Sequence, residues 1–435
     1  MTAALIIGLG ITGHAVLERL HQRGVQVMVV EDHPTDDHRT LAARNQALLL
    51  EAPDRNRLAE VLDGADVLLP SPGVPDSHVA FEVARSLDVP VASEFDLARR
   101  WDDRPIVAVT GTDGKTTVTT MITEMLVAAG RRAVTAGNTD VPLVAAIDDP
   151  ATDIFVVEAS SFRLGHSCRF QPQVAAWLNW GPDHLDVHRD LAGYERAKAA
   201  IWAHLEAGAV AVANADDPVV MGHAPAGART FGVAVPADFT VVDGQLAGPD
   251  GPLLAVTDLA RALPHDVANA LAAWACADAV GVEADTVGSV LTTFAGLPHR
   301  VHTVAVIGGV AFVDDSKATV PHAVVAAVRS FDSVVLIAGG RNKGIDLAPL
   351  ANAVESIRAV VAIGDARDEV ADAFAGQRPV VFADDMDEAV ARARAAARPG
   401  DTVLLSPGCA SFDWYRDYGA RGDDFVRAVR ALEDV

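Results

Sequence analysis

The stretch Ile106-Val-Ala-Val-Thr-Gly-Thr-Asp-Gly-Lys-Thr-Thr117, continued by Val118-Thr-Thr-Met-Ile-Thr-Glu-Met-Leu-Val-Ala-Ala-Gly130, reads as an apolar strand, a glycine loop and a helix. Such a loop holds phosphate. Gly111 and Gly114 let backbone N–H groups turn toward anionic oxygens, and the helix start adds the positive end of its dipole. Lys115 supplies a point charge and Thr116 a hydroxyl for Mg²⁺, while Thr112, Asp113 and Thr117 complete a loop suited to a nucleoside triphosphate. The spacing is shorter than the general G-x-x-x-x-G-K-[ST], since Val109 stands where the first glycine would be. The strand before and the helix after therefore carry the reading.

Outward from this loop the chain keeps alternating. On the N-terminal side, Ala4-Leu-Ile-Ile, Val25-Gln-Val-Met-Val-Val, Val67-Leu-Leu-Pro and Val89-Pro-Val are separated by helical stretches, the pattern of a parallel sheet with βα crossovers. On the C-terminal side, strands are expected at Ile154–Glu158, Val174–Asn179 and Ala209–Asn214, with helices at Tyr194–Leu205 and Val267–Ala279. A Gly/Pro-rich piece from Gly222 to Leu254 reads as a small hairpin appendage. Beyond Gly296-Leu-Pro-His-Arg300, strands recur at Ala311–Asp314, Val334–Ala338, Ala359–Ile363, Val380–Phe382 and Thr402–Ser406. The fold class is α/β in three successive domains, with boundaries placed at 1–93, 94–298 and 299–435.

Composition narrows the partners. A net charge of -24 and pI near 4.8 disfavour a broad basic face for nucleic acid or anionic lipid, so anionic ligands must be held by local groups. Cys168, Cys276 and Cys409 are far apart and form no C-x-x-C pair, which argues against a disulfide framework or structural zinc. The apolar start Ala3–Ile7 has no basic flank, and no run of about 18 apolar residues occurs. A cytoplasmic protein without membrane insertion is expected, and a monomer.

Three further groups of residues bear on chemistry. Gly8-Leu-Gly-Ile-Thr-Gly13 is a G-x-G-x-x-G loop, with Glu31 and Asp32 at the end of the next strand. That pattern fits a dinucleotide, a UDP-type nucleotide, or simply a tight turn packing helix on sheet. Glu158 ends a buried strand, where α/β sheets present ligand-facing groups, and a carboxylate there can hold Mg²⁺ opposite the phosphate loop. Asn179-Trp-Gly-Pro-Asp-His184 again puts polar groups past a strand, with His184 available to a metal or phosphate oxygen. Asp315-Ser-Lys-Ala-Thr319, Gly339-Gly-Arg-Asn-Lys343 and Ser406-Pro-Gly-Cys-Ala-Ser-Phe412 follow three strands and are expected to share one rim suited to a carboxylate-bearing substrate. Lys198, within a helix, reads as an ordinary solvated lysine.

In colinear order, Gly111-Thr-Asp-Gly-Lys-Thr, Glu158-Ala-Ser-Ser-Phe, Asp183-His, Tyr194 with Lys198, His265-Asp-Val-Ala-Asn269, Leu297-Pro-His-Arg300, Asp315-Ser-Lys-Ala-Thr and Leu405-Ser-Pro-Gly-Cys-Ala-Ser-Phe resemble the Mur ligases across essentially the whole chain. The resemblance implies a Rossmann-like N-terminal domain for a UDP substrate, a central P-loop ATPase-like domain and a Rossmann-like C-terminal domain for glutamate. It implies an ATP- and Mg²⁺-dependent ligase of peptidoglycan synthesis that joins D-glutamate to UDP-N-acetylmuramoyl-L-alanine through an acyl phosphate. It further implies that Lys115, Glu158, His184, Lys198 and Lys317 are catalytic, and that Thr116, Glu158, His184 and a carbamylated Lys198 serve metal. Asn269, Arg300 and Asp315 would contact ATP. Leu9, Thr12, Ser71, Gly73, Asn138 and His184 would contact the UDP substrate, and Thr319, Lys343, Ser411, Phe412 and Tyr418 the glutamate. Asp113 and Asp266 stand where the family usually has asparagine. An anion about 4 Å from a phosphate charge costs on the order of 4 kcal/mol at an effective dielectric near 20, so weaker ATP binding is expected unless Mg²⁺, Lys115 or protonation offsets it. An L-glutamate or folylpolyglutamate-type ligase, a non-catalytic nucleotide-binding regulator and a nicotinamide enzyme remain alternatives at this stage.

Overall fold

Short apolar runs in this chain become parallel strands because they are covered on both faces. In the computed structural model, which describes residues 1–184, 187–342 and 344–432, they assemble into two units, Met1–Phe294 and a second beginning at Ala295. The first sheet contains β1 (Ala3–Ile7), β2 (Gln26–Glu31), β3 (Leu48–Glu51) and β4 (Leu68–Pro70), all parallel, in the order β3-β2-β1-β4. Val89-Pro-Val adds no strand; it contributes a single bridge, Leu68 to Val91. With proline at its centre the run lacks one ladder donor.

The second sheet contains β5 (Ile106–Thr110), β6 (Ala133–Gly137), β7 (Ile154–Glu158), β8 (Val174–Trp177), β9 (Val210–Asn214) and β10 (Arg229–Phe231), in the order β10-β9-β8-β5-β7-β6. Strand β5 is central and buried at every residue, which is why its sequence is continuously apolar rather than alternating. One apolar cluster joins this sheet to the first, combining Ile6, Leu17 and Val29 with Ala108, Phe155 and Trp177. The helix after β5 starts at Lys115 and runs to Ala128. Its threonines are accommodated because Thr119, Thr120 and Thr123 hydroxyls donate to carbonyls of Thr116 and Thr119 at 2.8–3.0 Å.

The segment read as a hairpin is larger than that. β10 joins the edge of the central sheet, and β11 (Thr240–Val242), β12 (Gln245–Gly248) and β13 (Gly251–Ala255) form a separate antiparallel sheet. Phe239 and Trp274 pack edge to face at 5.1 Å beneath it, a long-range contact that local turn signals do not encode. The expected helix Tyr194–Leu205 is instead Leu191–Ala199 followed by a 3₁₀ turn, Ala200–Trp202.

In the second unit, β14 (His302–Ile307), β15 (Val310–Asp314), β16 (Val334–Gly339), β17 (Ile357–Ile363), β18 (Val380–Phe382) and β19 (Thr402–Leu405) lie in the order β14-β15-β19-β16-β17-β18. Only β14, absent from the sequence reading, is antiparallel; it lies at the sheet edge and is only partly buried. Along β16, Val334, Leu336 and Ala338 enter one apolar layer while Val335 and Ile337 enter the other, the period of two expected of a sheet covered on both faces. Each such buried aliphatic side chain contributes about 1.5–3 kcal/mol.

Candidate active site

The phosphate loop is shaped first by sterics. Gly114 has φ 82°, and a Cβ there would lie 2.5 Å from Asn269 Oδ1, so the loop needs glycine and thereby brings Asn269, on the helix Pro264–Ala279, against it. Asn179 organises the other side: its Oδ1 accepts from the N–H groups of Thr112 and Asp113, both at 2.9 Å, and its Nδ2 donates to Asp113 O at 3.2 Å. Thr117 is the third residue of the helix. Lys115 Nζ donates to Gly111 O and Thr112 O, each at 2.9 Å.

Lys198 is not a solvated lysine. It is 1 % exposed, and its Nζ donates to the same Gly111 carbonyl at 2.6 Å while lying 4.6 Å from the Tyr194 ring centroid. Burial, and then repulsion from Lys115, push its ammonium well below the usual lysine range. A lysine buried in this way is what sequence alone cannot display, since the desolvation comes from the folded surroundings.

Glu158, at the end of β7, is 4 % exposed and meets the loop directly. Thr116 Oγ1 donates to its Oε2 at 2.7 Å and Asn138 Nδ2 to its Oε1 at 3.0 Å. The hydroxyl and carboxylate together form an oxygen pair at the helix start, a donor set that fits Mg²⁺, which takes one or two protein oxygens and completes its shell with phosphate and water. Among the described residues no group of three or more His, Cys, Asp or Glu is poised around a metal, consistent with that sparse donor set. His184, with φ 54°, packs edge-on against Phe162 at 4.7 Å and Tyr194 at 5.9 Å, and its Nε2 lies 3.3 Å from Asp183.

The two aspartates that depart from the family pattern differ in setting. Asp113 is exposed, whereas Asp266 is 4 % exposed and paired with Arg261 Nε at 3.2 Å and His265 Nε2 at 3.4 Å. Burial pushes the His265 imidazole down, opposed by Asp266 and, more weakly, Asp113.

The N-terminal loop is built differently. A Cβ on Gly13 would lie 2.0 Å from Gly8 O, so this glycine lets the helix Ile11–Gln22 press against the turn. Ser71 Oγ donates to Gly8 O at 2.7 Å, Leu9 N donates to Glu31 Oε2 at 2.8 Å, and Gly73 lies in the exposed turn that follows. Glu31 is thus engaged by the loop's own amide rather than held out for a ribose. Thr12 is buried, and its Oγ1 accepts from Arg163 Nη2 at 2.9 Å.

In the second unit, the three loops predicted to share a rim are tied together. Arg341 and Ala410 exchange backbone hydrogen bonds at 2.8 and 3.1 Å, and Gly408 N donates to Ala318 O at 2.8 Å. Arg421, 1 % exposed, donates to Ser316 Oγ, Ser316 O and Cys409 O at 2.8–3.1 Å. Lys317 Nζ donates to Tyr418 Oη at 3.1 Å; Thr319 is half-buried, Ser411 buried, and Phe412 exposed. Asp315 accepts from Ser406 Oγ at 2.7 Å and Val301 N at 3.2 Å, and burial pushes its carboxyl up to about 7. Arg300 belongs to the same unit and opposes that rise. Lys343 lies outside the described residues.

A phosphate loop facing a strand-end carboxylate at the carboxyl end of a parallel sheet defines a phosphate-binding α/β class. The family profiles agree domain by domain: "Mur ligase MurD-like, N-terminal domain" matches residues 2–93, "Mur ligase middle domain" residues 109–277 and "Mur ligase, glutamate ligase domain" residues 299–409. The chain belongs to the Mur ligase family. It is 44 % identical to a UDP-N-acetylmuramoylalanine–D-glutamate ligase of Frankia casuarinae, over 99 % of this chain and 94 % of that protein, and 38 % identical to a ligase of the same name from Mycolicibacterium smegmatis, over 98 % and 96 %. Among solved structures, a pseudomurein peptide ligase type C from Methanothermus fervidus aligns with a TM-score of 0.62 at 16 % identity, covering 99 % of this chain and 100 % of that one. The UDP-N-acetylmuramate-alanine ligase of Thermotoga maritima aligns at 0.57 and 19 %, covering 99 % and 100 %. Those structural likenesses concern the fold.

Residue-level reading of the sequence passed over Arg163, Glu94 and Arg421 as site-forming groups. Arginine and glutamate are ordinarily surface residues, and nothing local marks these three as buried.

Proposed function

We propose that this chain is an ATP-dependent acid–amino-acid ligase that joins D-glutamate to UDP-N-acetylmuramoyl-L-alanine in peptidoglycan precursor synthesis, acting in the cytoplasm as a monomer. The observation that carries this reading is the Thr116–Glu158 oxygen pair, 2.7 Å apart, at the start of the phosphate-loop helix. A free carboxylate is a poor electrophile. In the reaction, an oxygen of the L-alanyl carboxylate attacks the γ-phosphorus of ATP, the bond to ADP breaks, and an acyl phosphate forms. The glutamate amine, having lost its proton, then attacks the acyl carbon; the amide bond forms and inorganic phosphate leaves with the electron pair of the broken C–O bond. Catalysis here is mostly positioning and charge neutralisation.

The assigned roles follow the family positions. Gly111, Thr112, Asp113, Gly114, Lys115, Thr116 and Thr117 hold the triphosphate, and Asn269, Arg300 and Asp315 the rest of the nucleotide. Thr116 and Glu158 would hold Mg²⁺, which when bound neutralises phosphate charge; His184 and Lys198 would serve a second metal position. Lys198 as an ammonium cannot ligate a cation; carbamylation by CO₂ requires the neutral amine, and burial and Lys115 both act in that direction. Leu9, Thr12, Ser71, Gly73 and Asn138 belong to the UDP substrate. Thr319, Lys343, Ser411, Phe412 and Tyr418 belong to glutamate, with Lys317 near the reacting groups. The corresponding division of the chain is 1–93, 94–298 and 299–435.

The test is phosphate release by the purified protein with ATP, Mg²⁺ and UDP-N-acetylmuramoyl-L-alanine, with D-glutamate, L-glutamate or neither, and mass detection of the product. Release and a new amide with D-glutamate alone are expected. Preference for L-glutamate, or no turnover by folded protein with either, overturns the reading.

A further inference from the structure

A single buried guanidinium connects the two glycine loops of the first unit. Arg163 and Glu94 are 5 % and 3 % exposed. Arg163 Nε donates to Glu94 Oε1 at 3.1 Å, Nη2 to Thr12 Oγ1 at 2.9 Å, and Nη1 to Asn138 Oδ1 at 2.9 Å, with Ser160 Oγ at 3.3 Å. The other oxygen of Glu94 accepts from Val144 N at 2.9 Å, so the pair is anchored at both ends.

The polarity of this network is forced. Arginine only donates and a carboxylate only accepts, so Asn138 must turn Oδ1 to Arg163 and Nδ2 to Glu158 Oε1. Without the Arg163 donor, Asn138 Oδ1 loses its partner and the side-chain amide is held by Nδ2 alone, able to tilt about that one bond. Asn138 is also joined to Glu158 through its backbone N–H, at 2.8 Å from Glu158 O. The path therefore runs Thr12, Arg163, Asn138, Glu158, Thr116, every link a hydrogen bond of 3.0 Å or less.

We infer that Arg163 is a positioning residue that orients the Glu158 carboxylate and couples the N-terminal loop at Thr12 to metal–nucleotide binding at Thr116. This rests on the reading that Thr12 belongs to the UDP substrate and Glu158 to Mg²⁺. Substrate on the first loop holds Thr12, Thr12 holds the guanidinium, and the guanidinium fixes the amide that orients the metal carboxylate. Coupling of this kind is reciprocal, so each ligand tightens the other by the same factor.

The experiment compares the full-length native chain with Arg163→Lys, Thr12→Val and Thr12→Ser. Two quantities are read: the Mg²⁺ concentration giving half-maximal turnover, and the affinity for magnesium and a non-hydrolysable ATP analogue with and without saturating UDP-N-acetylmuramoyl-L-alanine. A lysine keeps the charge beside Glu94, but three donors on a single nitrogen cannot reach the four acceptors spread around the guanidinium. Arg163→Lys is expected to raise half-saturating Mg²⁺ about 10-fold, the usual scale for groups that support a metal ligand, with KM for D-glutamate within about 2-fold of native. Thr12→Val is expected to abolish the coupling between substrate and nucleotide, read at substrate concentrations shown to saturate each variant, and Thr12→Ser to restore it. A folded Arg163→Lys with native Mg²⁺ response, or a Thr12→Val that keeps the coupling, overturns the inference; should Arg163→Lys fail to fold, the Thr12 pair decides. Failure of the native chain to form the amide would instead sink the proposed function itself.

Discussion

The two glycine loops of the first unit begin alike and end as different devices. Each follows a central parallel strand, β1 or β5, and leads into a helix, and each meets a glutamate from the end of a neighbouring strand, Glu31 of β2 or Glu158 of β7. Glu31 accepts from a backbone amide, Leu9 N, at 2.8 Å, whereas Glu158 accepts from a side-chain hydroxyl, Thr116 Oγ1, at 2.7 Å. The first carboxylate satisfies a loop amide that would otherwise be offered to an anion, and its own charge repels phosphate. The second takes no loop amide, since Asn179 accepts from those of Thr112 and Asp113, and pairs with a hydroxyl that can share a cation. A glycine pattern sets the backbone; the strand-end carboxylate and what it bonds decide the chemistry.

The sharpest test of that contrast is Lys115→Ala, since the first loop has no counterpart to this lysine. Turnover should fall about 10²–10³-fold or more, the scale of losing a preorganised charge at a transition state, with circular dichroism unchanged. Undiminished phosphate release would break the comparison.

Exchanging the carboxylates one at a time comes next. Glu158→Gln should lower turnover by about 10²-fold and weaken the response to Mg²⁺. Glu31→Gln should leave turnover at saturating substrate near native and lower urea stability by about 1–2 kcal/mol, the worth of a hydrogen bond to a charged group. Equal losses of activity in both variants would show that the loops are not functionally distinct.

Asp315, just past β15, is a third strand-end carboxylate and extends the series to the second unit. Its folded pKa of about 7 lies above the ordinary 3.8, so between those values the folded chain holds a proton that the unfolded chain has released. Its contribution to stability is complete below about pH 4 and lost as pH rises through 7; at about 1.4 kcal/mol per unit the whole is on the order of 4 kcal/mol, and the part lost above pH 5 is on the order of 3 kcal/mol. Urea unfolding at pH 5 and pH 8 should show that native protein loses this amount relative to Asp315→Asn; parallel curves would contradict it.

The smallest effect belongs to Asp113→Asn. Because Asp113 is exposed, its repulsion of ATP is screened, and the substitution should lower KM for ATP by no more than about 5-fold. That gain should shrink as salt is added. A KM that rises would mean that Asp113 serves the nucleotide rather than opposing it.

How much of this was legible beforehand follows from where each determinant lies along the chain. Gly111, Gly114, Lys115 and Thr116 sit within one strand–loop–helix unit, so the local context marked a phosphate loop, and the colinear run to Phe412 specified the family. Continuous apolar runs likewise announced β1, β5, β7 and β16, because a strand buried on both faces has no polar alternative. Strand β14 escaped notice, and the sheet β11–β13 was legible only as a hairpin, since an appendage packs on distant residues such as Trp274. Only the tertiary structure decided that Lys198 is buried against Gly111 and that Arg163 meets Thr12, partners separated by 87 and 151 positions. Burial and the loss of solvation that shifts a charge are properties of the surroundings, and sequence neighbours do not supply them.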